Sequence, residues 1–154
     1  MGKIDKIYMS EALKEARKAA QEDEVPVGCV LVHKGKIIAR AHNQVERLKD
    51  PTAHAEMIAL TSAANYLSTK WLSGASAYVT IEPCSMCAGA MVLSRIKNLY
   101  FGANDPKTGA CGSVINIISN KKLNHRIKVK KGILQAECGF LLKEFFKGKR
   151  KRKF

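Results

Sequence analysis

Two short motifs constrain this chain more than any other feature. His54-Ala55-Glu56 follows the breaker pair Pro51-Thr52, and Pro83-Cys84-Ser85-Met86-Cys87 follows the β-rich run 75–81. Each reads as the start of a helix: Thr52 is a candidate N-cap for one, and Pro83 ends a strand just before the other. Cys84 and Cys87 are three positions apart and share a helix face, whereas i and i+2 do not. His54 and Glu56 can therefore serve one site only if it lies beyond the helix end, at the first turn. A fold that uses both motifs together must bring two helix N-termini to one point.

The residue types say what such a point can do. Two thiolates and one imidazole are three ligands. Three protein ligands with an open fourth position describe a catalytic zinc rather than a structural one. Zinc held in this way lowers the pKa of a bound water to about 7. Helix N-termini favour the thiolate form and stabilise negative charge. Glu56 beside the site is suited to carry protons, a service worth roughly 10²–10⁴-fold in rate. Taken singly, the motifs are weak. C-x-x-C can be redox-active or half of a closed zinc knot completed by His33, His42, Cys29, Cys111 or Cys138, and a histidine near a helix start is usually structural. Together, with Cys84 standing 30 positions after His54 and a strand between them, they are far more specific.

The rest of the chain reads as alternating elements. Ile4, Tyr8, Ala12, Ala16 and Ala19 recur at helical spacing over about 4–21. VPVGCVLVHKGKIIARAHN reads as a hairpin turning at Lys34-Gly35. The His54 helix runs to about Leu67, a strand covers 75–81, and a short helix runs from Cys84 to about Ser94. Further strands are predicted over 98–103 and 126–131, and a final amphipathic helix from Leu134 to about Lys147. Val114 to Ile118 is an apolar stretch within a loop. Strands alternating with helices predict an α/β sandwich, one mixed sheet of five strands with helices on both faces. With 154 residues, no internal repeat and no linker, a single domain over 1–154 is expected.

Five cysteines, an odd number, and an N-terminus without an apolar secretory core argue against a disulfide framework and for a cytoplasmic protein. No apolar run approaches the roughly 18 residues of a membrane span. The net charge of +14 is one-sided: residues 95–154 hold 16 of the 27 basic side chains and 3 of the 13 acidic ones. Such a field points to a polyanionic partner, nucleic acid ahead of membrane; the plainer alternative is a solubilising tail.

The H-x-E…P-C-x-x-C pair is a known mark of zinc deaminases of bases and nucleosides. EVPVGCVLV (24–32), DPTAHAE (50–56), EPCSMCAGAM (82–91), SRI (94–96), FGANDPKTGACGS (101–113), NHR (124–126) and GIL…EC (132–138) extend the likeness over nearly the whole chain. The sequence resembles the cytidine deaminase-like superfamily and, within it, the bacterial tRNA-specific adenosine deaminases; the 101–113 and NHR segments carry the narrower likeness. The resemblance implies a three-layer α/β/α fold and one zinc per subunit held by His54, Cys84 and Cys87. It further implies hydrolysis of adenosine to inosine at the wobble position of a tRNA anticodon, mainly of the arginine tRNA with an ACG anticodon. Glu56 would protonate the ring nitrogen and the departing ammonia, and the Ala55 backbone N–H would help hold the attacking oxygen. Asn43 would hydrogen-bond the flipped nucleoside, Val27 would wall its base, and Asp105 would contact the anticodon loop. In the tail FFKGKRKRKF, Phe145 or Phe146 would stack on an extruded base and the lysines and arginines would meet phosphates. A homodimer binding the anticodon stem-loop is implied as well. Asn43 can equally close a strand, Asp105 before Pro106 can be a turn former, and a Phe pair on such a helix is often core. Asn104 and Cys111 depart from the family pattern, which usually has a basic and a small residue there.

Two other classes stay open. A deaminase of a free base would share the metal set but have no use for a basic C-terminal third. A non-catalytic zinc module that binds RNA would need a fourth ligand and would leave Glu56 without a role. Steep salt dependence separates the first and a Glu56→Ala variant the second.

Overall fold

A computed structural model describes residues 2–152, with side chains through Lys151. In chain order the elements are α1 (Lys3–Gln21), β1 (Gly28–His33), β2 (Lys36–His42), α2 (Val45–Leu48), α3 (Ala55–Leu67), β3 (Ser76–Ile81), α4 (Ser85–Leu93), β4 (Asn98–Ala103), β5 (Lys128–Lys131) and α5 (Gln135–Arg152). One five-stranded sheet has the order β2-β1-β3-β4-β5. β1 is antiparallel to both β2 and β3, and β3, β4 and β5 are parallel, so the sheet is mixed. This is the three-layer α/β/α architecture with one mixed five-stranded sheet that the sequence predicts.

The two-residue period of a strand sorts the core into two halves. Cys29, Leu31, Ala77 and Val79 point to one face, where Ala55, Ala59, Leu60 and Ala63 of α3 and Ala88, Met91 and Val92 of α4 cover them. Val30, Val32 and Tyr78 point to the other, under Met9, Ala12 and Leu13 of α1 and Cys138 of α5. β1, covered on both faces, is almost continuously buried, which explains its unbroken apolar run. The hairpin between β1 and β2 turns through Lys34 and Gly35, both at positive φ (51° and 72°), as a two-residue turn matched to strand twist requires. At the far edge β5 is exposed along its length, and its lysines blunt an otherwise open strand.

Three expectations change. Thr52 is not the N-cap of the His54 helix: its N–H and hydroxyl both donate to the Asp50 carboxylate (2.8 and 2.7 Å). This side-chain turn delays the helix, and His54 itself takes the N-cap position of α3. Cys84 likewise stands at the N-cap of α4 rather than in its first turn. The last helix runs past Lys147 to Arg152. The short α2 has no sequence signal of its own. Its first turn is capped from outside by the buried Glu24 carboxylate, which accepts from the N–H groups of Glu46 and Arg47 at 3.0 and 2.7 Å.

Candidate metal centre and active site

β3 delivers the chain to the C-terminal edge of the sheet, Pro83 stops it, and Cys84 opens α4. From the same direction the Asp50 turn delivers His54 to the start of α3. The two helix N-termini therefore converge as the motif spacing requires. Both sulfurs face the same ring nitrogen: His54 Nδ1 lies 3.6 Å from Cys84 Sγ and 3.6 Å from Cys87 Sγ. All three ligand atoms fall within 4.8 Å of one another, and among the described residues no further His, Cys, Asp or Glu joins the group. The donor set fits zinc. Bonds of about 2.3 Å to sulfur and 2.0 Å to nitrogen at a tetrahedral angle set the sulfur and nitrogen about 3.5 Å apart, close to the separation found. Cys29, Cys111 and Cys138 are buried free thiols outside the cluster. His42 is engaged elsewhere, between Glu15 and Glu22. A closed knot with a fourth protein ligand is thus not formed among the described residues.

The electrostatics suit a cation. The Cys84 thiol is held well below its ordinary value, first by the hydrogen bond from Cys87 and then by the one with His54. Cys87, completing the pair, is pushed up by the same hydrogen bond and by burial. His54 is raised chiefly by its contact with Cys84. Three electron-pair donors thus share protons that a metal ion displaces. Glu56 is 3 % exposed in the first turn of α3. Burial pushes its carboxyl up to about 6, with the His54 charge pulling the other way. A carboxyl near neutrality beside a metal site can both take and give a proton.

The remaining sequence candidates divide. Ala55 is fully buried directly after His54, and its N–H is one of the first-turn donors that a helix leaves unpaired. Asn43 and Val27 are brought together, the Asn43 N–H donating to the Val27 carbonyl at 3.1 Å. Val27 packs against the core half that carries α3 and α4. Asn43 is 7 % exposed, and its side-chain amide has no partner among the described residues. Asp105 lies in a loop joined to the Cys84 segment, since Gly109 bridges Cys84 and the Ala110 N–H donates to the Pro83 carbonyl (2.9 Å). Its carboxylate is engaged within its own turn, accepting from the N–H groups of Lys107 and Thr108 and from the Thr108 hydroxyl. Phe145 is half-buried, edge-on to Phe146 and beneath Lys149. α5 packs against β4 near its start and is tied to the end of α1 by Lys149–Asp23 at 2.9 Å. It therefore crosses the sheet at the edge where the cluster lies. Residues 153–154 of the basic tail lie outside the described residues.

Sequence reasoning gave no role to Glu82. It is 2 % exposed and accepts hydrogen bonds from Asp105, Cys111 and Ser113. The available signal was a carboxylate at the end of an apolar strand, walled in by Pro83, with no cation near it in sequence.

A deaminase is what this fold and this site define: the model of the MafB19-like deaminase family matches residues 4–150. Among solved structures, a chain from a study of A-to-I editing by tRNA:A34 deaminases at the wobble position is 44% identical, with a TM-score of 0.85 over 88% of this chain and 99% of that one. The guanine deaminase of Nitrosomonas europaea is more distant, at 27% identity and a TM-score of 0.76 over 91% and 83%. The tRNA-specific adenosine deaminase of Bacillus subtilis (strain 168) is 50% identical over 97% of this chain and 92% of its own length. That of Aquifex aeolicus is 51% identical over 96% and 95%. The chain belongs to the tRNA-specific adenosine deaminase family and is a hydrolase.

Proposed function

We propose that this chain, acting as one domain over 1–154, converts adenosine to inosine at the wobble position of a tRNA anticodon, that of the arginine tRNA with an ACG anticodon first. The observation that carries the reading is the convergence of His54, Cys84, Cys87 and the buried Glu56 at two helix N-termini, in a chain half identical to an enzyme named a tRNA-specific adenosine deaminase.

His54, Cys84 and Cys87 hold one zinc ion per subunit; when bound, it acidifies water and polarises it for attack. The protein supplies the rest. Glu56 takes a proton from the attacking water and delivers it to the ring nitrogen beside C6. It then passes the second proton to the departing amine, so that water and adenosine become inosine and ammonia. The Ala55 N–H holds the attacking oxygen, helped by the positive end of α3. The Asn43 amide, unpartnered among the described residues, hydrogen-bonds the extruded nucleoside, and Val27 walls its base. Asp105 places its turn against the anticodon loop, and Phe145 stacks on a neighbouring base. The basic side chains of α5 neutralise phosphates. The protein works in the cytoplasm as a homodimer.

The test is inosine formation in an in vitro transcribed arginine tRNA by wild type and Glu56→Ala, with free adenosine, cytidine and guanine alongside. Inosine from wild type alone, falling steeply with salt, is the expected result. Turnover of a free base with the tRNA untouched would keep the zinc chemistry and overturn the substrate. Gel filtration with light scattering that gave only the 17.0 kDa monomer would overturn the dimer.

A further inference from the structure

Glu82 carries a buried carboxylate that no cation neutralises among the described ion pairs. Its partners all come from one loop. Oε1 accepts from the Asp105 N–H at 3.1 Å and from the Ser113 hydroxyl. Oε2 accepts from the N–H groups of Cys111 and Ser113 at 3.0 and 3.1 Å. The loop is pressed onto the carboxylate so closely that a Cβ on Gly109 would stand 2.4 Å from Glu82 Cδ and 2.5 Å from the Asp105 carbonyl oxygen. The acid thus holds both ends of loop 105–113 at once, two positions before Cys84, while touching none of the three metal ligands through a hydrogen bond.

We propose that Glu82 is a positioning residue for substrate: its carboxylate fixes the Asp105–Thr108 turn where RNA meets the active site, and the metal set does not depend on it. The inference rests on the RNA reading above. Only an anionic carboxylate can serve this loop, because it offers two acceptor oxygens and no donor to a ring of N–H groups. In Glu82→Gln the amide oxygen belongs at the Oε2 position, where two backbone N–H groups need it. The amide nitrogen then takes the Oε1 position, where the Ser113 hydroxyl can rotate to accept but the Asp105 N–H cannot. The substitution therefore releases the Asp105 end of the loop and keeps the Cys111–Ser113 end.

The experiment compares wild type and Glu82→Gln, both zinc-loaded, on a synthetic anticodon stem-loop with an ACG anticodon. It reads kcat and KM separately, zinc per chain, and amide exchange along loop 105–113 by NMR. Loss of a buried hydrogen bond of this kind should raise KM about tenfold, leave kcat within about twofold, and speed exchange at Asp105 about tenfold but not at Cys111. Zinc should stay at one per chain. Unchanged KM and unchanged exchange would overturn the proposal, as would loss of zinc or of kcat at constant KM. If wild type makes no inosine, the RNA reading fails by itself, and the exchange comparison still decides whether Glu82 clamps the loop.

Discussion

The two faces of the sheet are built by opposite rules. On the α1/α5 face, Tyr78 stacks on Tyr100 at 4.4 Å and meets Tyr8 at 5.2 Å, and its hydroxyl donates to Asp5 at 2.7 Å. Large rings fill the space, and the buried Tyr78 hydroxyl finds its partner in Asp5. On the α3/α4 face nine of the 23 buried packing residues are alanines, among them Ala39, Ala41, Ala55, Ala59, Ala63, Ala77 and Ala88, set beside larger side chains such as Leu31, Met91 and Phe101. Small side chains let two helices lie close to the sheet with their N-termini converging. The polar groups there, His54, Cys84, Cys87 and Glu56, face one another rather than private partners. The first face spends its polar chemistry on cohesion; the second leaves valence open for a metal and a substrate. If that division is real, substitutions on the two faces should separate activity from stability.

The largest effects belong to the α3/α4 face. Cys87→Ala should remove zinc, read by atomic absorption, and take deamination below detection. Glu56→Gln should keep one zinc per chain and the wild-type melting temperature while lowering kcat by roughly 10²–10⁴-fold. A Glu56→Gln protein that melted early would show that this carboxyl holds the fold together and would break the comparison. On the other face, Met9→Ala empties a fully buried site under α1. It should lower stability by about 2–5 kcal/mol in urea titrations with kcat unchanged at temperatures where the protein stays folded.

How much of this was legible in the sequence follows the same division. The convergence of His54, Cys84 and Cys87 could be read because the chemistry they suit forces spacing: thiols three apart on one helix start, and a His and a Glu two apart at another. The strands could be read because β1 and β3 are apolar at both parities, as a doubly covered sheet demands. Contacts distant in sequence could not. Glu82 reaches its partners across 23 to 31 positions, and Tyr78 reaches Asp5 across 73. Nothing local marks either pair. The Thr52 cap failed for a related reason: two oxygens competed for one turn, and Asp50, the better acceptor, took both Thr52 donors. Asn43 and Val27 meet only because the hairpin returns one beside the other.

The finest test of the division is the Tyr78–Asp5 pair. Tyr78→Phe keeps the ring and its stacking but strips the Asp5 carboxylate, 8 % exposed, of its hydroxyl donor, leaving Lys130 at 3.6 Å as its ion partner. The loss should be about 1–3 kcal/mol of stability at neutral pH with turnover intact. The difference should also depend on pH. Burial, then the hydrogen bond to Asp5, raises the Tyr78 phenol far above its ordinary value. A raised folded-state value means that the stabilisation is complete below the unfolded value, about 10, and is lost as pH climbs through and beyond it, because the unfolded phenol ionises first. The gap between wild type and Tyr78→Phe in urea titrations should therefore be constant from pH 7 to 9 and narrow above about 10. A gap that stayed constant to pH 11 would mean that the phenol ionises as readily in the fold as out of it. A fall in turnover at neutral pH would mean that this face is not separate from the chemistry at all.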